Sequence, residues 1–231
     1  MSAFGKIYAI VWKDLLTEVR TKELFGGMFL FALLTIITFN FAFDLTIADS
    51  PDRPAAVAKG ASGAGAIWVA FIFAGMLGLG RAVSLERDRG SFDGLLLCPV
   101  DRGVIYLGKL VGNLIFIGLV ELIAVPVFGA LFNLPVLQPS LLLVLGLGTI
   151  GFAALGTLFS VMAASTRARD VMLPVLLFPI SLPVVIGTVR ATTMILTHQT
   201  GDLIPWLNLL GAFDVIFLTI AFLVFDRVVE E

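Results

Sequence analysis

SLERDRGSFDGLLLCPVDR, residues 84–102, decides how this chain is read. Seven charged residues, Glu86, Arg87, Asp88, Arg89, Asp93, Asp101 and Arg102, fall within 17 positions. On either side the sequence turns apolar. Residues 60–80 contain no Asp, Glu, Lys, Arg or His, and residues 103–131 contain only Lys109 and Glu121. A polar island this dense between two such runs is the loop between two membrane-crossing helices. Composition agrees. The 231 residues are 59% hydrophobic and 14% charged, with mean hydropathy +1.05, whereas a soluble domain is about 45–50% apolar and about 25% charged.

Working outward, a helix needs about 20 apolar residues to cross about 30 Å of hydrocarbon. Runs of that kind predict six transmembrane helices at about 24–43, 60–84, 103–131, 140–164, 171–190 and 203–225. The stretch 122–166 has no charged residue or His and is too long for one helix. Asn133-Leu-Pro135 and Gln138-Pro139-Ser140 divide it. Backbone groups in lipid must be satisfied internally, so the spans are helices. The expected fold class is an all-α integral membrane protein, with residues 1–231 forming a single transmembrane domain.

An interfacial amphipathic helix is expected at 4–20. Phe4, Ile7, Tyr8, Val11, Trp12, Leu15, Leu16 and Val19 recur at helical spacing, and Lys6, Lys13, Asp14, Glu18 and Arg20 take the other faces. The first 23 residues carry seven charges and do not resemble a secretory signal. Orientation follows from Lys and Arg. With both termini cytoplasmic, twelve of them lie inside and three, Arg53, Lys59 and Arg190, lie outside. That places 84–102 in the cytoplasm. No repeat relates residues 1–116 to 117–231.

Few residues offer chemistry. One His and one Cys exclude multi-ligand zinc sites and intrachain disulfides, and no metal site or nucleic-acid partner is expected. Gly103-Val-Ile-Tyr-Leu-Gly108-Lys109-Leu110 approaches a phosphate-binding loop. Leu110 stands where a hydroxyl should hold Mg²⁺, and the motif opens an apolar span. It reads as a small-residue helix start with Lys109 at headgroup level. Glu121 and Asp214 lie near the middle of spans three and six. Such carboxylates are either proton or substrate groups, or are hydrogen-bonded to a neighbouring helix. His198, in the outer loop after span five, is either a weak candidate haem ligand or a surface histidine. Cys98 reads as a small apolar anchor. Gly75, Gly78 and Gly80, with Gly148, Gly151 and Ala154, read as close helix crossings. Pro174, Pro179 and Pro183 each remove a donor, so span five is expected to be broken and to act as a possible hinge.

Within 84–102, Gly90 and Ser91 break the helix. Ser91 is expected to cap a new one, with Asp93 in its first turn. Phe92, Leu95 and Leu96 give it an apolar face, and Pro99 ends it. A short helix with an apolar knob among charges suits docking into a groove on a soluble protein. The alternative is a solvated loop with a helical turn.

The segment reads Glu86-Arg87-Asp88-Arg89-Gly90-Ser91-Phe92-Asp93-Gly94-Leu95-Leu96-Leu97-Cys98-Pro99. It resembles the E-R-x-x-G-[ST]-x-[ED]-x-L-L-x-x-P coupling segment of ABC-2-type permeases. Within that group the chain is similar to the haem exporter protein B (CcmB) family. The likeness rests on its size, on Ile67-Trp68-Val69-Ala70, on Leu95-Leu96-Leu97-Cys98-Pro99-Val100, and on the proline-rich 173–183. It spans essentially the whole chain. The resemblance implies a non-catalytic permease subunit of the bacterial inner membrane, serving haem transport in cytochrome c maturation. ATP is then bound only by a separate CcmA-like ATPase. Haem is a handled ligand rather than a covalently bound cofactor. CcmC-like and CcmD-like membrane subunits and a CcmE-like haem chaperone are the further partners, and ATP hydrolysis goes with release of the loaded chaperone. The ATPase interface would comprise Glu86, Arg87, Asp88, Gly90, Ser91, Phe92, Asp93, Gly94, Leu95, Leu96 and Pro99. Two alternatives stand beside this reading: an ABC-2 exporter for another amphipathic substrate, and a proton-coupled carrier using Glu121 and Asp214.

Overall fold

A computed structural model describes residues 3–48, 55–88, 90–98, 100–164, 166, 169–198 and 203–228, with the side chains of 45–48, 55–57, 92, 93, 96, 169 and 170 left aside. All regular structure among these residues is helical. In chain order the helices are α1 (Ala3–Thr21), α2 (Glu23–Ala48), α3 (Ala55–Asp88), α4 (Ser91–Leu96), α5 (Arg102–Phe132), α6 (Pro139–Ala164), α7 (Arg169–Leu196) and α8 (Leu203–Val228). Six of them, α2, α3, α5, α6, α7 and α8, are long and apolar enough to cross a membrane.

Helices α3 and α6 form the centre of the bundle. α3 packs on α2, α5, α6 and α7, while α6 packs on α5, α7 and α8. Small residues set these approaches, as expected where lipid supplies no hydrophobic drive between helices. A Cβ on Gly75 would stand 2.6 Å from Phe152 Cε1, and one on Gly148 would stand 2.6 Å from Thr188 Cγ2 while also meeting the Trp68 ring. Beside that crossing, Trp68 Nε1 donates to Thr192 Oγ1 at 2.9 Å and ties α3 to α7. Thr192 is 1% exposed. Thr192→Val is therefore expected to strand a buried indole N–H and cost about 1–3 kcal/mol. The thermal midpoint in mild detergent measures this, and an unchanged midpoint would remove the bond from the account.

Three local readings are corrected or sharpened. First, α7 is one continuous helix with Pro174, Pro179 and Pro183 inside it. Each proline removes one donor, but all three are exposed, and α7 packs on α3, α6 and α8. Lateral packing sustains a helix that three prolines would break in water. Second, the aromatic stripe of α1 faces away from the protein, a point that the expectation of an interfacial helix left open. Phe4 is 84% exposed and Tyr8 and Trp12 are also exposed, whereas Ile10, Val11 and Glu18 are buried. Ile10 fits against Gly108 of α5. A helix lying between bilayer and bundle needs apolar surface on two sides, so its apolar arc exceeds either contact. Third, Ser91 is not the cap of α4. It is the first residue of that helix, and its hydroxyl donates to the Glu86 carbonyl at 3.2 Å. Gly90 makes the turn, with φ +65°, a conformation that suits glycine because it has no Cβ.

Two further caps fix the helix ends. Asp101 precedes α5 and accepts from Gly103 N at 2.8 Å. Glu18 of α1 accepts from Phe25 N at 2.8 Å, which satisfies one of the open donors at the start of α2.

Candidate functional site

The loop 84–102 joins the end of α3 to the start of α5, and α1 lies beside that junction. Four charged side chains meet there. Lys109 Nζ of α5 donates to Asp14 Oδ2 at 2.9 Å and to Glu86 Oε1 at 2.5 Å. Lys13 Nζ, one residue before Asp14 on α1, reaches Glu86 Oε1 at 2.6 Å and Asp14 Oδ1 at 3.1 Å. The Lys109, Asp14 and Glu86 side chains are only 7%, 14% and 15% exposed. Burial pushes the Asp14 carboxyl above its usual range, against the pull of Lys109. Burial lowers the Lys13 pKa, but the Glu86 and Asp14 carboxylates outweigh it and hold the ammonium above its ordinary value.

This node was not legible from the sequence. The sequence reading puts Lys109 at headgroup level and names no partner for it, whereas it is 6% exposed. Its partners lie 95 and 23 residues away. The available signal was a lysine inside an apolar run in a chain that also places acids on an amphipathic helix and at a span end. A buried lysine requires such acids.

Within the loop, α4 stands between the ends of α3 and α5. Leu95 is half-buried and packs on the core, whereas Gly90, Ser91, Gly94, Leu97 and Cys98 are exposed. A Cβ on Gly94 would meet nothing within 4 Å. Glu86 belongs to the ion node, Arg87 is half-buried, and Asp88 is exposed at the end of α3. Pro99 and the side chains of Phe92, Asp93 and Leu96 lie outside the described residues. Cys98 Sγ faces the Gly94 carbonyl at 3.5 Å.

The intramembrane carboxylates are 8% exposed at Glu121 and 5% at Asp214. Glu121 Oε1 accepts from Thr149 Oγ1 of α6 at 2.5 Å. Both carboxyl oxygens of Asp214 are buried without a hydrogen-bond partner, in a notch left by Gly151 of α6, where a Cβ would come within 2.5 Å of Oδ1. Thr149 and Gly151 are two residues apart, about 200° around a helix. The two acids therefore reach α6 from different sides, and no hydrogen bond or ion pair joins them among the described residues. Asp214→Asn is expected to leave stability unchanged or to raise it by about 1 kcal/mol, read from the thermal midpoint, because it relieves the desolvation of an unpaired acid. A clear drop in midpoint would contradict the unpartnered state.

His198 is exposed at the end of α7. Its φ is 58° and its backbone N–H donates to Ile195 O at 3.2 Å, a helix-terminating role. No group of three or more His, Cys, Asp or Glu side chains is placed to hold a metal among the described residues.

Six helices long and apolar enough to span, an amphipathic helix packed on two of them and a short helix between two span ends define a multi-pass helical membrane protein. The profile of the family described as CcmB protein matches residues 5–230. The chain belongs to that family. It is similar to heme exporter protein B of Rhodobacter capsulatus, 27% identical over 77% of this chain and 78% of the relative. The protein of the same name from Pseudomonas aeruginosa is 30% identical over 64% of this chain and 67% of the relative. That from Bradyrhizobium diazoefficiens is 22% identical over 81% of each.

Proposed function

We propose that the chain is the membrane subunit of an ATP-binding-cassette complex that handles haem for cytochrome c maturation. It would form a single non-catalytic permease domain in the bacterial inner membrane, with both termini cytoplasmic. A separate cytoplasmic ATPase docks on residues 90–99, and its nucleotide-driven closure drives release of a haem-loaded chaperone. Haem is the handled ligand, ATP stays on the ATPase, and further membrane subunits complete the assembly. The haem reading rests on the name shared by the relatives.

The observation that carries the coupling mechanism is the position of α4, placed between two spanning helices with Leu95 packed on the core. α4 packs on α3, so a push on α4 would be passed to the end of α3. Lys109 links α5 to α3 through Glu86 and to α1 through Asp14. The displacement therefore reaches three helices as one body, a rigid unit of the kind that rocks in domain motions.

Phe92→Asp and Gly94→Arg test the docking. Gly94→Arg places its side chain in open space, so the chain should still insert and elute as a single species. Both variants are expected to lose co-purification with the ATPase and, with it, production of c-type cytochromes. Undiminished co-purification in both would remove the docking claim. Normal docking with normal cytochromes but a different cargo would instead remove the haem reading. Leu95 is the poorer target, because its side chain also packs on the core.

A further inference from the structure

Helix α1 turns both of its acids toward the protein and leaves basic residues outside. We propose that its exposed arc binds the headgroups of anionic phospholipids, in the leaflet on the side of the 84–102 loop. Such lipids would gather around α1 whatever the cargo of the chain.

The charged residues of α1 are Lys6, Lys13, Asp14, Glu18 and Arg20, and their positions around the helix are sorted by sign. Lys6, Lys13 and Arg20 recur every seven residues, a spacing that drifts only about 20° per step and keeps them on one flank. Asp14 and Glu18 are four apart and share the flank that meets the protein. Both are engaged there. Asp14 accepts from Lys109 of α5 at 2.9 Å, and Glu18, 6% exposed, accepts from the Phe25 N–H of α2. The next acid in the chain, Glu23, is held by Arg81 of α3 at 3.0 Å. Every carboxylate of the first 23 residues therefore has a partner within the protein.

The outward cations differ. Arg20 and Lys22 are exposed, and neither forms an ion pair among the described residues. Lys22 ends α1 with φ 56°, and its N–H donates to the Glu18 carbonyl at 2.7 Å. That bond fixes its backbone at the turn into α2. Beside this basic flank runs the exposed stripe of Phe4, Tyr8, Trp12 and Val19, with the Tyr8 and Trp12 rings stacked at 6.0 Å. A stripe of this kind sinks to the boundary between headgroups and acyl chains. Arg20, next to Val19, then stands at the level of the phosphates, with its stem along the chains.

The sorting of charge selects the lipid. A zwitterionic headgroup offers Arg20 a phosphate but brings an ammonium with it, and no carboxylate of α1 faces outward to receive that ammonium. An anionic headgroup brings the phosphate alone. With Asp14 and Glu18 turned outward, the same helix would present almost no net charge. An acidic protein surface would meet Arg20 and Lys22 but would set charge against the aromatic stripe, so a lipid fits both halves of the arc.

The test places the intact chain in vesicles of equal phosphatidylcholine and phosphatidylglycerol, with bromine near the headgroup end of the acyl chains of one lipid or the other. Bromine quenches tryptophan at short range, and the Trp12 signal is the difference between the chain and its Trp12→Phe variant. Quenching is expected to be stronger from phosphatidylglycerol, at a local enrichment of roughly fivefold, the effect of one basic side chain near anionic lipid. The enrichment should shrink in about 1 M salt, where charges act over only about 3 Å. Arg20→Gln with Lys22→Asn should bring the two lipids close to parity while phosphatidylcholine still quenches, and asparagine suits the positive φ at 22. Equal quenching of the parent chain by both lipids overturns the selectivity. Quenching by neither overturns the lipid surface and means that another protein covers the stripe. An enrichment unchanged in the double variant, or unchanged by salt, removes Arg20 and Lys22 as its cause. The salt measurement needs no substitution at either residue, so it stands even where the double variant does not fold.

Discussion

Lys109→Met is expected to destabilise the chain by about 3–5 kcal/mol, the cost of breaking a buried ion pair from one side. The substitution preserves length and apolar volume and leaves the neighbouring contact of Ile10 with Gly108 in place. What it removes is the cation at 2.9 Å from Asp14 and 2.5 Å from Glu86. Lys13 remains, but its side chain is 42% exposed and it must then serve two acids alone. Glu86 already has one buried oxygen, Oε2, without a partner. The measurement is the thermal midpoint of monodisperse protein in mild detergent. Removing an acid together with the base separates charge from shape. Lys109→Met with Glu86→Gln should recover much of the loss, since replacing both members of a buried pair is often nearly neutral. If the single variant melted with the parent chain, the node would not be buried in the folded protein.

Gly148→Leu is the second large effect, at about 3 kcal/mol, the upper end of ordinary overpacking. Even a Cβ at this position would stand 2.6 Å from Thr188 Cγ2 and press on the Trp68 ring. That ring cannot swing aside without releasing Thr192, which accepts its N–H. Helices α3, α6 and α7 would have to separate together. Gly118→Leu is the matched control, because a Cβ on Gly118 meets nothing within 4 Å, and it should melt close to the parent. Equal melting of the two variants would mean that the Gly148 crossing is looser than described.

The spanning helices could be read from the sequence because a run of apolar residues is a property of one segment alone. The break at Gly90 and the start of α5 at Asp101–Arg102 follow from local residue chemistry for the same reason, whereas α3 runs on to Asp88, past the expected end at 84. Most of what was missed or left open depended on a neighbour. The burial of Lys109 depends on an acid from α1, and no spacing within α5 reveals it. The buried side of α1 at Ile10 and Val11 depends on where Gly108 opens α5, while the aromatic stripe belongs to the lipid. The continuity of α7 depends on helices packed along it. Gly90 is the turn residue and Ser91 already begins α4, a shift of one residue that local composition does not decide. For the acids, periodicity shows only that Glu121 and Asp214 lie at membrane depth. That one is paired with Thr149 and the other is alone against Gly151 required the relative placement of α5, α6 and α8.

The order of charges along the chain also bears on how the molecule is made. A ribosome delivers the N-terminus first, so Asp14 and Glu86 have both been synthesised when Lys109 reaches the translocon. Its counter-charges are already waiting at the membrane surface. Glu121 has no such escort, because its partner Thr149 emerges 28 residues later. Helix α5 must therefore hold one carboxyl unsupported until α6 arrives, which makes their joint insertion the vulnerable moment of biogenesis.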